Sequence, residues 1–336
     1  MATDHWRQRG ACGELFRMSD SDTLRVAIAQ IAPVWLDREA TITKVAEWIE
    51  GAANDGCELV AFGEALVPGY PFWLERTDGA RFESPLQKSL YAHYLDQAVD
   101  ISGGGLHRLQ QAAADHGVHV VLGCIERAAD RGGHSVYCSL VQIGQAGRVL
   151  TVHRKLMPTY EERLAWAIGD GHGLVTNPVG PFTVGALNCW ENWMPLPRAA
   201  LYAQGEDLHI AAWPGNVRNT TEITRFIARE SRSYVLSASA LLRRDDISDS
   251  VPHGDVIREA SEAVLANGGS CIAAPDGRWL VEPVEDAECL IAVTLHHGLV
   301  RRERQTFDPA GHYARPDVTR LVVDRRRQST VEFTDS

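Results

Sequence analysis

Residues 183–193 read TVGALNCWENW. Small and apolar residues run up to Asn188, a thiol stands at Cys189, and Trp190, Glu191 and Trp193 follow at once. With Phe182 in front, FTVGALN has the length and composition of a buried strand. A thiol at the lip of such a strand is either a small core residue, as most buried cysteines are, or a nucleophile at the sheet edge where ligands bind.

The neighbouring segments favour a layered α/β fold. LRVAIAQI (24–31) reads as a strand, and in REATITKVAEWIEGAANDG the residues Ile42, Val45, Ala46, Ile49 and Ala53 share one helical face, with Gly56 past its end. LVAF (59–62) is a short buried strand. LHRLQQAAADHG is a helix with Gly117 as its cap, followed by strand VHVVLGCIE. VYCSLVQI and RVLTVH flank GQAG as a hairpin. After Cys189, helix LPRAALYAQG, strand LHIAAW, helix TEITRFIARESRSY and strand VLSASAL alternate. VIREASEAVLANGG reads as a further helix, SCIAAPDGRWLVEP as a hairpin and LIAVTL as a strand. No linker interrupts the series, so one domain with helices covering sheets is expected over residues 24–300. Residues 1–23 are expected to form a loose extension. Residues 301–336, irregular and rich in Pro, Gly and Asp, are expected to wrap the surface or a neighbouring subunit.

Composition narrows the function. The chain has 336 residues, 45% hydrophobic and 23% charged, ample for a large core. Its formal net charge of -11 gives a nucleic-acid partner no electrostatic support. No apolar run is long enough to span a membrane, and no signal-peptide core is present. The seven cysteines are scattered and form no C-x-x-C pair, which points to a reducing cytoplasm and away from a disulfide framework. His116 and His119 lack a third ligand nearby, so no metal is expected. SGGG (102–105) lacks the strand–loop–helix setting of a dinucleotide site and reads as a turn.

Three reactive residue types share one kind of position. Glu64 follows LVAFG, Lys155 follows RVLTVHR and Cys189 follows FTVGALN, each just beyond a strand. A cysteine nucleophile needs a base to take its proton and a cation to favour the anion. Glu64 and Lys155 supply these, and backbone N–H groups after Cys189 would face an anion forming on the substrate. The plain alternative is a core cysteine with two ordinary loop charges.

FGEALVPGYPFW (62–73), HRKLMPTYEERLAWAIGDG (153–171), GALNCWENWMPLPRAALYAQGEDLHIAAWPG (185–215), GGSCIAAPDG (268–277) and FDPAGHYARPDVTRLVV (307–323) resemble, in this order, segments of the nitrilase superfamily of carbon–nitrogen hydrolases. The resemblance runs from about Leu24 to about Phe333. It implies a four-layer α-β-β-α sandwich. It also implies a catalytic set of Glu64 as proton acceptor, Lys155 as transition-state stabiliser and proton donor, and Cys189 as nucleophile, with Glu162 supporting the lysine. Glu161 stands beside Glu162 as the rival for that supporting role. Trp190, Tyr70 and Trp213 are candidate pocket residues, with a core or interface role equally open to each. Glu191 is either a hydrogen-bonding support or solvated. His153 packs or supports. No cofactor is implied.

CWEN resembles the nitrilase branch, so the expected reaction turns an organic nitrile and two waters into a carboxylic acid and ammonia. The alternatives are an amidase on the same residues and an inactive scaffold that assembles through the fold. The resemblance also implies a homo-oligomer, at least a dimer. The basic clusters RRER (301–304) and RRR (325–327) are candidate contacts for it. The chain ends soon after STVEF, so filaments are not expected.

Overall fold

The computed structural model describes residues 22–331 and 334. The expected loose extension therefore lies almost wholly outside the described residues. In chain order the elements are β1 (Thr23–Gln30), α1 (Arg38–Asn54), β2 (Leu59–Ala61), α2 (Trp73–Arg76), α3 (Pro85–Gln97), α4 (His107–His116), β3 (His119–Arg127), β4 (Val136–Ile143), β5 (Val149–Arg154), β6 (Asn177–Val179), β7 (Phe182–Asn188), α5 (Pro195–Tyr202), β8 (Leu208–Trp213), α6 (Val217–Ser231), β9 (Tyr234–Ser239), β10 (Leu241–Arg243), α7 (Gly254–Glu259), β11 (Val264–Ala273), β12 (Trp279–Glu285), β13 (Cys289–His296) and α8 (His297–Arg304).

They build two sheets. One has the strand order β13-β1-β2-β3-β4-β5, and the other runs β10-β11-β9-β8-β7-β6 with β12 paired to β11. Both have a parallel heart, β1-β2-β3 and β7-β8-β9, extended by antiparallel partners. Period-two alternation sorts the side chains. In β1, Leu24, Val26 and Ile28 face the other sheet and share one core with Leu208, Ile210 and Ala212 of β8 and Tyr234, Leu236 and Ala238 of β9. Ala27 and Ala29 point the other way, into a core with Ile42, Val45 and Ile49 of α1 and Leu109 and Ala113 of α4. On the far side, Ala211 and Trp213 of β8 pack with Ile223 and Ile227 of α6. Helix, sheet, sheet, helix is the expected four-layer α-β-β-α sandwich. Continuous apolar strands such as β8 are what burial on both faces demands.

One expectation needs correction. VIREASEAVLANGG is not one helix: α7 stops at Glu259, and Val264–Ala273 is a strand bonded to β10, β12 and β9. Tertiary pairing overrides the helix-like spacing there, and Gly268 and Gly269 sit at φ +88° and +91°, which a helix excludes. The boundary drawn after residue 300 falls inside α8, whose Leu299 and Val300 are buried in the inter-sheet core while Arg301 and Arg304 reach Asp22 and the Glu206 carbonyl. Arg327 bonds Asp170 at 3.0 Å and the Val152 carbonyl at 3.1 Å, so this arginine lies against its own chain, as in the surface-wrapping alternative expected for residues 301–336.

Candidate active site

The sandwich brings the strand ends together. The Glu64 N–H donates to the Trp213 carbonyl at 3.0 Å, tying the end of β2 in one sheet to the end of β8 in the other. Gly63 permits this approach: a Cβ there would sit 2.9 Å from the same carbonyl and from the Ala240 nitrogen. β7 pairs with β8 up to Asn188, so Cys189 emerges at the same edge. The Lys155 N–H donates to the Cys138 carbonyl of β4 at 2.8 Å, which fixes the third residue.

At that edge the expected set converges. Lys155 Nζ lies 2.8 Å from Glu64 Oε1 and 2.7 Å from Glu162 Oε2, and all three side chains are almost wholly buried. A carboxylate oxygen from each of Glu64 and Glu162 and the Cys189 sulfur lie within 4.8 Å of one another. That is also the spacing of a metal triad. Lys155, however, already bonds both carboxylates, so the cation these acids require is supplied by the chain itself.

Glu162, not Glu161, is the lysine's second partner. Its carboxylate also accepts from the Thr159 N–H at 2.6 Å and the Tyr70 hydroxyl at 2.9 Å, in a capping box over the 3-10 turn 160–164. Glu161 accepts from the same Tyr70 hydroxyl at a longer 3.3 Å and forms no ion pair with Lys155 among the described residues.

Cys189 adopts φ +46°, a left-handed conformation that costs a non-glycine residue energy and is concentrated at functional sites. The turn that follows is held by Glu191, which is buried rather than solvated. Its carboxylate accepts from the Asn188 N–H at 2.9 Å, from the Leu156 N–H at 2.6 Å and lies 3.1 Å from His153 Nε2. Asn192 closes the turn from inside: its amide donates to the Cys189 carbonyl at 2.9 Å, and its Oδ1 lies 2.8 Å from His209, itself 2.8 Å from Glu206. Sequence reasoning missed this buried Asn192–His209–Glu206 chain, because a polar residue inside apolar LHIAAW carries no spacing signal.

Burial shapes the charges. It pushes Glu64 up to about 7, against the pull of the Lys155 ammonium. Burial also pushes the Cys189 thiol well above its ordinary value, with Glu64 adding to the rise and Lys155 opposing it. Desolvation works against the Lys155 ammonium, but the surrounding Cys189, Glu64 and Glu162 outweigh it and hold the lysine charged. Burial likewise disfavours the Glu191 anion, yet His153 and the Leu156 and Asn188 N–H groups keep it below the usual value. The resting site is thus a protonated thiol, a firmly charged lysine and a carboxylate poised near neutrality.

A cavity of about 680 Å³ opens onto Cys189 and Glu162, with Tyr70, Phe72, Trp190 and Pro214 among its walls. Trp190 is half exposed and stacked on Trp193 at 6.2 Å. Trp213 does not line this cavity. The alternation of β8 turns it outward under α6, where it is fully buried.

The carbon-nitrogen hydrolase family profile matches residues 25–305. The chain is 38% identical to an aliphatic nitrilase of Sinorhizobium fredii (strain HH103), over 91% of this chain and 97% of that protein. It is 34% identical to an aliphatic nitrilase of Rhodococcus rhodochrous, over 92% and 82% respectively. It is also 34% identical to the bifunctional nitrilase/nitrile hydratase NIT4A of Lupinus angustifolius, over 94% and 90%. Among solved structures, the fold is shared with XC1258 of Xanthomonas campestris, a CN-hydrolase superfamily protein, at TM-score 0.66 and 15% identity over 90% of this chain and 99% of that one. An amidase of Nesterenkonia sp. matches at TM-score 0.62 and 17% identity, over 86% and 97%. The chain belongs to the carbon–nitrogen hydrolase family, the nitrilase superfamily, and within it to the nitrilase branch.

Proposed function

We propose that this enzyme hydrolyses an organic nitrile, R–C≡N, with two waters to R–COOH and ammonia. The observation that carries the reading is Lys155 Nζ held between Glu64 and Glu162 beside the Cys189 sulfur, in a buried cavity. The names of its relatives, aliphatic nitrilases among them, support an aliphatic substrate.

In this mechanism Glu64 takes the thiol proton as the Cys189 sulfur bonds to the nitrile carbon. Glu64 passes this proton to the nitrile nitrogen, a thioimidate forms, and Glu64 is again a carboxylate. A water gives a proton to Glu64 as its oxygen adds to the same carbon. Lys155 stabilises the tetrahedral species. Cleavage of the C–N bond releases ammonia and leaves a thioester. A second water adds, the C–S bond breaks, and acid and thiol are released. Glu162 and Tyr70 hold Lys155 in place. Trp190 shapes the cavity.

Ammonia and acid release from a panel of nitriles and amides tests the reading. Turnover of amides without nitriles would make the protein an amidase; no turnover of either would leave the inactive scaffold. The likeness to a solved amidase bears on the fold alone. A second product, amide, is favoured by the bifunctional relatives. It forms if the thiolate rather than ammonia leaves the tetrahedral species, and it is expected as a minor product.

A homo-oligomer, at least a dimer, and a cytoplasmic location complete the reading. Trp193 and Met194 before α5, Leu196 on α5 and Phe226 on α6 are exposed, and Arg198 of α5 lies over the Phe226 ring, so the two helices present one apolar face. A second copy would cover it. Light scattering checks this: Leu196→Glu with Phe226→Glu should yield monomers. Every cysteine among the described residues is a free thiol, in keeping with a reducing compartment. No helix among the described residues is long and apolar enough to cross a membrane.

A further inference from the structure

We propose that Cys138 is a positioning residue: its S–H holds one oxygen of the Glu64 carboxylate so that the other is free to exchange protons with Cys189 and water. Cys138 sits within β4, buried, and its Sγ lies 3.5 Å from Glu64 Oε1. That same Oε1 is the oxygen 2.8 Å from Lys155 Nζ. Glu64 Oε2 is buried and has no hydrogen-bond partner among the described residues. Buried carboxylate oxygens are ordinarily partnered, and an orphan one in a reactive site marks where a proton or water goes. The two oxygens are thus divided, one anchored and one working.

The anchor is built from both ends of Cys138. Its carbonyl accepts the Lys155 N–H at 2.8 Å, while its thiol meets Glu64. One residue therefore sets the separation of the lysine and the carboxylate. Lys155, Glu162, Cys138, Cys189, Tyr70 and Tyr94 are the titratable groups that interact with Glu64. Burial, with Glu64 adding to it, pushes the Cys138 thiol well above its ordinary value, so it stays a donor. A thiol is a weak donor. It orients the carboxylate without draining its basicity as a hydroxyl would. An alanine or valine would offer no donor there and leave Oε1 with Lys155 alone.

Cys138 acts through Glu64, and so depends on the reading of Glu64 as the proton acceptor given above. The test is therefore run with and without a nitrile. The pH dependence of kcat/KM is measured beside that of Cys189 alkylation by iodoacetamide, located by peptide mass, in wild type, Glu64→Gln, Cys138→Ala and Cys138→Ser. Loss of the donor disfavours the carboxylate, so Cys138→Ala should move the acid limb of both profiles up by roughly half a pH unit. Its plateau rate should fall several-fold. Cys138→Ser, a stronger donor, should move the limb below wild type, and it carries the test alone if the alanine variant does not fold. A limb that stays put in Cys138→Ala or Cys138→Ser, or that rises in Cys138→Ser, overturns the role of Cys138. A limb that persists in Glu64→Gln defeats the reading of Glu64 itself.

Discussion

The Glu191 carboxylate accepts the N–H of Leu156 at 2.6 Å. Leu156 follows Lys155, and Glu191 sits two residues after Cys189, so this one bond joins the strand end that carries the lysine to the strand end that carries the thiol. The same carboxylate takes the Asn188 N–H in front of Cys189. The left-handed backbone at Cys189 is held by contacts of this kind rather than by its own preference.

Glu191→Gln keeps the shape but removes the charge that these N–H groups and His153 face. Hydrogen bonds to a buried charge are worth about 1.5–3 kcal/mol. A loss of that size should appear in the denaturant midpoint, together with a kcat reduced at least about tenfold as the two segments drift apart. Unchanged stability and kcat would show that the clasp is dispensable.

The pH profile should report Glu64. It must be ionised to accept the thiol proton, and burial raises it to about 7. A raised acid means less of the active form on the acid side, so kcat/KM should fall as pH drops through about 7. A profile flat down to about pH 5, near an unperturbed glutamate, would contradict the assignment.

Lys155→Ala would leave Glu64 and Glu162 facing one another with no cation between them. Like charges so close suppress ionisation, so the base as well as the stabilising cation is lost. Lys155→Ala and Glu162→Gln should each lower kcat at least about a hundredfold, the usual scale for a positioned acid–base group. Near-native circular dichroism is expected alongside. Activity lost only through unfolding would remove both residues from the chemistry.

Trp190 forms a cavity wall, and it is its backbone N–H rather than its ring that meets the Cys189 sulfur. Trp190→Ala should therefore change the ranking of short against long nitriles by roughly 10–200-fold per well-filled methylene site, with the pH profile unmoved. Rates measured across a homologous nitrile series check this, and an unaltered ranking would place Trp190 outside the substrate's reach.

Much of the fold could be read because buried parallel strands advertise themselves: LRVAIAQI, FTVGALN and LHIAAW are continuous apolar runs, and α1 and α4 carry clear one-sided patterns. The strand-end positions of Glu64, Lys155 and Cys189 were legible for the same reason. α3 escaped notice because only Leu90 and Tyr94 of its thirteen residues are buried, although Ser84 and Pro85 mark its start. The first part of β11, residues 264–269, was mistaken for helix because Val264 takes its conformation from a neighbouring strand distant in sequence, whereas Ser270–Ala273 pair with β12 as the expected hairpin. Contacts between segments far apart in the chain, such as Cys138 with Glu64 or Asn192 with His209, leave no local pattern to read. Trp213 shows the converse error: nearness to a motif in sequence says little about which face of a strand a side chain takes.

The central claim is that Cys189 bonds covalently to the nitrile carbon. Intact-protein mass spectrometry during turnover of an aliphatic nitrile tests it most directly, with Cys189→Ala, Cys57→Ala and Cys271→Ala in parallel. Wild type and the last two variants should show a substrate-derived adduct that maps to Cys189 and releases ammonia, while Cys189→Ala shows neither adduct nor turnover. Sustained ammonia release by Cys189→Ala would contradict the mechanism outright.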